Sequence, residues 1–126
     1  KTMIHSSEFL EIVNDAKSRI REVTVAVAIE RIKGGAVLID VREDSEFETA
    51  HAHGAKHMGR GVIDRDIVQN FTEKDTELIL YCGGGYRSAL AADMIQKMGY
   101  TNVWSMAGGW AAWQEAEAPI VIGNGN

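Results

Sequence analysis

The sequence predicts an α/β fold, with a small, mostly parallel sheet, helices on both faces and an added N-terminal helix. Short apolar runs at 36–39, 78–81 and 103–106 are typical of buried parallel strands. Helical patterns separate these runs, and strands that alternate with helices predict a parallel sheet. Polar or glycine-rich residues follow each run. Because ligands bind beyond the carboxyl ends of parallel strands, we expect these three segments to meet at one site.

The first third of the chain predicts two capped helices. The Ser-Ser-Glu sequence at 6–8 precedes apolar residues at helical spacing up to Ile20, which indicates an amphipathic helix with a capped start. Thr24 is the predicted N-cap of a second helix, which the glycine pair at 34–35 ends.

The middle third predicts short elements after the strand at 36–39. Asp44 or Ser45 begins a brief helix that runs to about residue 50. A short strand is expected within 53–58, and the apolar spacing at 61–68 indicates another helix.

The last third predicts two helices and then a loose end. The helix after Cys82 ends at Gly99, in the position that glycine favours. A glycine pair at 108–109 introduces the final helix, and Pro119 is expected to end the regular structure.

Composition predicts one domain. The chain has 126 residues, of which 45% are hydrophobic and 25% charged. A net charge of −5 with no block of lysine or arginine argues against nucleic acid as a partner, and the apolar runs are too short to cross a membrane. We expect an N-terminal helical extension at 1–22, a single domain at 23–119 and a C-terminal tail at 120–126.

The single cysteine limits both covalent structure and location. It leaves no internal disulfide and no zinc site built from several cysteines. It is compatible with a reducing compartment, so we expect a cytoplasmic protein and leave the periplasm open. Nothing in the sequence indicates the oligomeric state.

Cys82 is the strongest candidate for a functional residue. It follows the apolar run at 78–81, and five residues lead from it into a helix: Gly83, Gly84, Gly85, Tyr86 and Arg87. Glycines let backbone N–H groups turn inward, and the helix directs its positive end at the loop. Both effects favour the thiolate, which is the reactive form. The alternative is a small buried hydrophobic cysteine, and it gives the glycines and Arg87 no purpose.

Four segments carry a recognisable pattern of motifs. They are Leu38-Ile39-Asp40-Val41-Arg42-Glu43 with Glu46-Phe47, then His51 to Ala55, then Cys82 to Arg87, and Gly108-Gly109-Trp110-Ala111-Ala112-Trp113. Together they resemble the single-domain rhodanese family of sulfurtransferases. The resemblance extends from about residue 23 to 119 and implies the rhodanese-like form of the predicted fold.

The resemblance implies sulfur transfer through a persulfide on Cys82. The thiolate takes the outer sulfur of a small anionic donor such as thiosulfate, and a thiophilic acceptor such as cyanide, a thiol or a protein thiol removes it. No motif in the sequence calls for a nucleotide, a flavin or a metal, so we expect no cofactor beyond this covalent sulfur. The backbone N–H groups at 83–87 are expected to bind the persulfide. Arg87 either attracts the donor or stabilises the loop through a carboxylate such as Asp40, and both roles stay open.

Several further residues are expected near the site. Arg60, between two glycines, is a candidate for the rim of the pocket. The resemblance implies a structural ion-pair network of Asp40 and Arg42, with Glu46 as a further member. His51 is expected to be a hydrogen-bonded loop residue.

Aromatic and histidine side chains allow two more expectations. Tyr86 and Trp110 are expected to form an apolar wall at the mouth of the pocket. The histidines at 51, 53 and 57 have spacing that metal ligands can show, but no fourth ligand of clear type lies near them, so we expect no metal site.

Two departures from the family pattern affect the expected donor. The segment Ala50 to Ala55 lacks the proline of the usual Gly-His-Ile-Pro-Gly-Ala sequence, which changes loop stiffness rather than chemistry. Gly83 stands where many members carry a basic residue. The loop therefore has one cation fewer, which leaves polysulfides and protein persulfides open as donors besides thiosulfate.

Two other function classes remain as alternatives. Rhodanese-like phosphatases carry one residue more between the cysteine and the arginine, whereas four residues separate Cys82 from Arg87 here. A persulfide relay or sulfur-carrier and docking module with little turnover is the second alternative.

Overall fold

Residues 5–125 are described by a computed structural model, and within them the chain forms six helices and seven strands. The helices are α1 (Ser7–Lys17), α2 (Val25–Lys33), α3 (Asp44–Thr49), α4 (Ile63–Asn70), α5 (Tyr86–Lys97) and α6 (Gly109–Glu115). The strands are β1 (Arg21–Val23), β2 (Val37–Asp40), β3 (Ala50–Ala52), β4 (Lys56–His57), β5 (Leu78–Tyr81), β6 (Val103–Met106) and β7 (Ile120–Ile122). None of the helices formed by residues 5–125 has the length and apolar character needed to cross a membrane.

Five strands form a parallel sheet in the order β1-β6-β5-β2-β4. The chain runs outward from β2 to the β4 edge and then returns to β5 on the other side of β2. The strand order therefore reverses between β2 and β5, and ligands of parallel sheets bind at the carboxyl ends beside such a reversal. Cys82 directly follows β5, so the fold places it at this point.

The pleat of β5 sends alternate side chains into two cores, one on each face of the sheet. Leu78, Leu80 and Cys82 belong to the core that residues of α4 and α5 complete. Ile79 and Tyr81 belong to the core that residues of α2 and α6 complete. Helices therefore cover both faces, and the predicted fold class is confirmed.

The two predicted N-caps are present. The Ser6 hydroxyl accepts a hydrogen bond from the Phe9 N–H at 3.0 Å and begins α1. The Thr24 hydroxyl accepts one from the Val27 N–H at 3.2 Å and begins α2.

An ion pair and hydrogen bonds attach the end of the α1 segment to α5. Arg19 donates through Nε and Nη2 to the two carboxylate oxygens of Asp93, at 2.9 and 2.8 Å, and Nη2 also reaches Asp15 at 2.9 Å. Gln96 donates to the Arg19 carbonyl at 3.0 Å. The hydrogen bond from Arg19 holds the pKa of Asp93 below its usual value, although partial burial opposes this shift.

Strand β1 was not predicted. It pairs in parallel with β6 and spans the expected boundary between residues 22 and 23. The sequence of β1 lacks the apolar run of a buried strand, because only Val23 of its three residues is buried. The N-terminal segment therefore contributes the edge of the sheet as well as a helix.

The expectation that Pro119 ends the regular structure is wrong. Strand β7 follows it directly and pairs antiparallel with β3, and the His53 N–H donates to the Pro119 carbonyl at 3.0 Å. Three β-branched residues make up β7, which favours a strand, and proline is tolerated just before such an edge. His51 consequently lies in strand β3 and not in a loop.

The attachment of α1 predicts a pH-dependent effect of Asp93→Asn. Since the folded state lowers the pKa of Asp93, the stabilisation is complete above the ordinary value of 3.8 and is lost as the pH falls through the folded value. We expect the variant to lose about 1 kcal/mol of unfolding free energy at neutral pH, measured by urea titration. The difference should vanish in strong acid.

Asp15→Asn is the matched control, because it removes the partner of Arg19 whose side chain is 68% exposed, against 10% for Asp93. An equal loss in both variants, or a loss for Asp93→Asn that persists in strong acid, would contradict this assignment.

Candidate active site

The sulfur of Cys82 lies at the start of α5. The Gly85 N–H donates a hydrogen bond to Sγ at 3.1 Å, and Cys82 as a whole is 1% exposed. Gly85 has a φ of +102°, a left-handed conformation that favours glycine, and this turn brings its N–H to the sulfur. The positive end of the α5 dipole faces the same atom. A negative charge on this sulfur would therefore be stabilised by the backbone.

Two buried serines continue the hydrogen bonding from the sulfur into the core. Ser88 Oγ lies 3.5 Å from Cys82 Sγ and 2.8 Å from Ser105 Oγ. Both serines are 0% exposed. A chain of hydroxyls polarises each member, so Ser88 is placed to donate to a thiolate. The sequence interpretation missed this pair, although Ser105 is a hydroxyl within an otherwise apolar strand.

The first turn of α6 holds the loop from the side opposite α5. The Trp110 N–H donates to the Cys82 carbonyl at 2.7 Å, and the Ala111 N–H donates to the Gly83 carbonyl at 3.2 Å. Since C=O and N–H point in opposite directions across a trans peptide, these bonds turn the N–H groups of Gly83 and Gly84 away from α6. The loop is thus oriented before any ligand arrives.

Gly109 makes this contact possible. Its φ is +53°, and a Cβ at this position would lie 3.0 Å from the carbonyl carbons of Cys82 and Gly83 and closer still to the Cys82 oxygen. Backbone atoms cannot yield as a flexible side chain does. The glycine pair that predicted the start of α6 therefore also sets the close approach of α6 to the loop.

Arg87 forms an ion pair with Glu46 of α3. Its Nη1 and Nη2 atoms lie 2.8 and 3.3 Å from the two carboxylate oxygens. The hydrogen bond from Arg87 lowers the pKa of Glu46, against the effect of burial, and the same bond raises the pKa of Arg87. Glu46 also accepts the Glu43 N–H at 2.9 Å, which fixes its position.

The carboxylate of Asp40 is not the partner of Arg87, in contrast to the example chosen from the sequence. It accepts hydrogen bonds from Arg42 Nε and Nη2, at 3.1 and 2.9 Å, and from the Tyr81 hydroxyl at 2.6 Å. Burial, and then the charge of Asp40, raise the pKa of Tyr81 far above its usual value, so the hydroxyl stays a donor. Glu46 lies outside this buried network, which joins the ends of β2 and β5.

A cavity of about 650 Å³ opens onto Cys82. Three charged side chains line it, those of Glu46, Arg60 and Arg87, and three rings line it, those of His5, Phe9 and Tyr86. Arg60, the candidate for the rim of the pocket, is among the residues that line this cavity.

Trp110 does not take the place expected for it in the wall of this cavity. Its ring lies 4.7 Å from the guanidinium of Arg42 and 6.4 Å from the ring of Tyr81, and it lines a separate cavity of about 340 Å³. The reason is that the ring packs against the Arg42 guanidinium and stacks on Tyr81, and Arg42 lines the same separate cavity.

The histidines at 51 and 57 are engaged in packing. His51 Nδ1 lies 2.9 Å from the Phe47 carbonyl, and its ring stacks on that of Phe47 with centroids 3.7 Å apart. His57 Nε2 lies 2.8 Å from the Arg42 carbonyl. His53 is exposed. In the part of the chain that the structure describes, no group of three or more His, Cys, Asp or Glu side chains is placed to hold a metal ion.

The model of the rhodanese-like domain matches residues 24–116. The chain belongs to the rhodanese-like family. The resemblance drawn from the four motifs is confirmed, and the match includes the rhodanese-like Cys82 loop and the start of α6. Helix α1, which contributes Phe9 to the cavity, lies outside it.

Similar proteins include named enzymes. The thiosulfate sulfurtransferase GlpE of Haemophilus influenzae is 34% identical over 101 residues, which cover 79% of this chain and 93% of that protein. A solved structure from Rhodopseudomonas palustris, described as a protein of unknown function and possible tyrosine phosphatase, is 32% identical, with a TM-score of 0.78 and coverage of 96% and 98%. The polysulfide-sulfur transferase homodimer of Wolinella succinogenes shares the fold at 22% identity, with a TM-score of 0.78 and coverage of 91% and 88%.

The approach of α6 predicts a large effect of Gly109→Ala. The added Cβ would overlap the backbone of the loop, and alanine would have to adopt the left-handed φ of this position. We therefore expect the variant to lose about 3 kcal/mol of unfolding free energy, measured by urea titration. Gly99→Ala is the control, because Gly99 has a φ of +102° with nothing within 4 Å of its Cβ position. It should lose only about 1 kcal/mol. Equal losses of unfolding free energy in the two variants would show that the close approach of α6 to the loop does not exclude a Cβ at position 109.

The serine pair predicts slower alkylation of Cys82 in Ser88→Ala. Loss of a hydroxyl donor near the sulfur costs about 1 kcal/mol, which corresponds to about a fivefold lower rate with iodoacetamide at neutral pH. Ser105→Ala, which removes only the second hydroxyl, should show a smaller decrease. An unchanged rate in Ser88→Ala would rule out the hydrogen bond to the sulfur as a cause of reactivity.

Proposed function

We propose that this protein is a sulfurtransferase that carries a sulfane sulfur on Cys82. The observation that carries the proposal is the placement of Cys82 Sγ, which accepts the Gly85 N–H at 3.1 Å and borders a cavity that contains Arg60 and Arg87. The relatives named thiosulfate sulfurtransferase support the same chemistry. Donors within the proposal are thiosulfate, polysulfides and persulfides, and acceptors are cyanide and thiols, including protein thiols.

The first half-reaction loads the cysteine. The Cys82 thiolate attacks the outer sulfur of thiosulfate, the sulfur–sulfur bond of the donor breaks, and sulfite leaves with the electron pair. Cys82 then carries a terminal sulfur as a persulfide anion. No metal or further cofactor takes part in this step.

The second half-reaction unloads it. Cyanide or a thiolate attacks the terminal sulfur, and Cys82 Sγ leaves as a thiolate, so the enzyme returns to its starting state. Splitting one transfer into two displacements is covalent catalysis, and each displacement needs only one small molecule in the cavity.

The loop backbone is the proposed binding site of the terminal sulfur. The bonds from α6 to the Cys82 and Gly83 carbonyls turn the next two N–H groups away from α6, where they can face the sulfur. Donors held in place before the reaction stabilise developing charge without reorganisation, at about 3 kcal/mol for each donor lost in comparable oxyanion sites.

The two arginines divide the roles that the sequence left open for Arg87. The pairing of Arg87 with Glu46 favours support of the loop. Arg60 is exposed at the cavity, and no carboxylate among residues 5–125 forms an ion pair with it. We therefore assign attraction of the anionic donor to Arg60.

Phosphatase activity is the second candidate, and the name of the Rhodopseudomonas palustris structure favours it. Phosphate needs a wider loop than a single sulfur atom does. The four residues between Cys82 and Arg87 give the shorter length, which supports sulfur transfer.

Sulfur transfer predicts a mass change that depends on Cys82. Thiosulfate should raise the intact mass of the protein by about 32 Da, one sulfur atom, and cyanide should remove the gain with release of thiocyanate. Cys82→Ser, which preserves size and loses the nucleophile, should show no gain.

Other outcomes distinguish the alternatives. A mass gain seen only with polysulfide would make polysulfide the donor in place of thiosulfate. A mass gain without transfer of the sulfur to any small acceptor would favour the persulfide relay. No gain with any donor, together with Cys82-dependent hydrolysis of p-nitrophenyl phosphate, would replace sulfur transfer with the phosphatase.

A further inference from the structure

One wall of the cavity at Cys82 comes from outside the family match. His5 and Phe9 lie at the start of the α1 segment, and they meet Tyr86 of α5. The ring centroids of His5 and Tyr86 are 4.6 Å apart, those of His5 and Phe9 are 5.1 Å apart, and those of Phe9 and Tyr86 are 6.4 Å apart. We call these three rings the aromatic wall.

The aromatic wall is held in place by contacts outside the cavity. Lys17 Nζ lies 5.3 Å from the centroid of the Tyr86 ring and pairs with Glu22 at 3.7 Å. Arg19 attaches the same segment to Asp93 of α5. Two of the three rings, those of His5 and Phe9, therefore lie on a segment that is attached to α5 and is separate from the loop that holds the sulfur.

The charge of the cavity suits an anion with one negative charge. Of its charged lining side chains, Arg87 is neutralised by Glu46 at 2.8 Å, which leaves Arg60 as the cation without an ion pair in the described part of the chain. Gly83, which also lines the cavity, adds no charge. Thiosulfate, a dianion, finds only one such partner here.

The size of the cavity points in the same direction. Its volume of about 650 Å³ lies within the range of sites that hold drug-sized ligands. A small inorganic ion would leave the rings of the aromatic wall exposed to water. An organic group would bury it.

We propose that the preferred donor is an organic sulfane-sulfur anion, in which an apolar or aromatic group is joined through a second sulfur to the transferable terminal sulfur. The organic group packs on Phe9 and Tyr86, and the anionic end faces Arg60. This inference rests on the proposed function of Cys82. For the probe benzenethiosulfonate, the Cys82 thiolate takes the terminal sulfur, the sulfur–sulfur bond breaks, and benzenesulfinate leaves with the electron pair.

The test compares three donors with cyanide as the common acceptor and thiocyanate release as the readout. They are benzenethiosulfonate, which is aromatic, methanethiosulfonate, which carries the same single charge without a ring, and thiosulfate. Each variant is compared with wild type on the same donor, which cancels differences in intrinsic reactivity. The measured quantity is kcat/KM.

We expect Phe9→Ala to lower kcat/KM for benzenethiosulfonate about tenfold more than for methanethiosulfonate, since a ring contact contributes on that scale. Ile12→Ala is the control on the same helix, because Ile12 is 59% exposed and does not line the cavity, and all three donors should keep their rates. Arg60→Gln should lower the rates of both thiosulfonates by a similar factor.

Phe9→Leu keeps an apolar side chain and guards against detachment of α1. It should fold like wild type by circular dichroism and lose part of the benzenethiosulfonate rate. Inhibition by benzenesulfinate should weaken in both Phe9 variants, which gives a readout independent of turnover.

The outcomes separate this inference from the proposed function. Equal losses on both thiosulfonates in Phe9→Ala, or a wild-type enzyme that uses thiosulfate and neither thiosulfonate, overturn the donor class and leave sulfur transfer standing. A wild-type protein that gains no sulfur mass from any of the three donors, but gains it from polysulfide, also overturns only the donor class. A protein that gains no sulfur mass from polysulfide either overturns both.

Discussion

The loop that begins at Cys82 depends on one backbone contact, between the first turn of α6 and the residues after β5. The Trp110 and Ala111 N–H groups, which a helix start leaves without partners, bind the Cys82 and Gly83 carbonyls. Gly109 allows the two backbones to approach, because any Cβ there would overlap the Cys82 carbonyl. Two helix starts thus act on one loop. Helix α6 fixes the carbonyl groups, and α5 presents its positive end to the sulfur.

Charges around this loop fall into two groups with different consequences. Asp40, Arg42 and Tyr81 are buried, and the Asp40 carboxylate accepts hydrogen bonds from the other two side chains, so the group joins the carboxyl ends of β2 and β5. Glu46 and Arg87 are about one-third exposed and connect α3 to the loop. Removing one member of the buried group would leave an uncompensated charge, whereas the exposed pair contributes modestly to stability. Substitutions of Glu46 or Arg87 should therefore lower the stability of the fold less than substitutions within the buried group.

Most of the fold was predictable from local signals, and most of the misses involve partners distant in sequence. Apolar runs predicted the strands that begin at Leu78 and Val103. N-cap residues predicted the helix starts at Ser6 and Thr24. The pairing of β3 with β7 joins segments about seventy residues apart, which no local pattern reports. For the same reason Asp40 stood as the example of a carboxylate partner for Arg87, whereas the observed partner is Glu46. Trp110 was likewise expected at the cavity that opens onto Cys82, and it lines a separate one. The position of Phe9 at the cavity was not predicted, because α1 lies outside the four motifs.

The most direct test is a crystal structure of the protein loaded with sulfur. The terminal sulfur of Cys82 should lie within hydrogen-bond distance of loop N–H groups, with the Cys82 and Gly83 carbonyls still bound to α6. A terminal sulfur that points away from the loop backbone, or a loop that leaves α6 when loaded, would contradict the proposed role of the contact between α6 and the Cys82 loop.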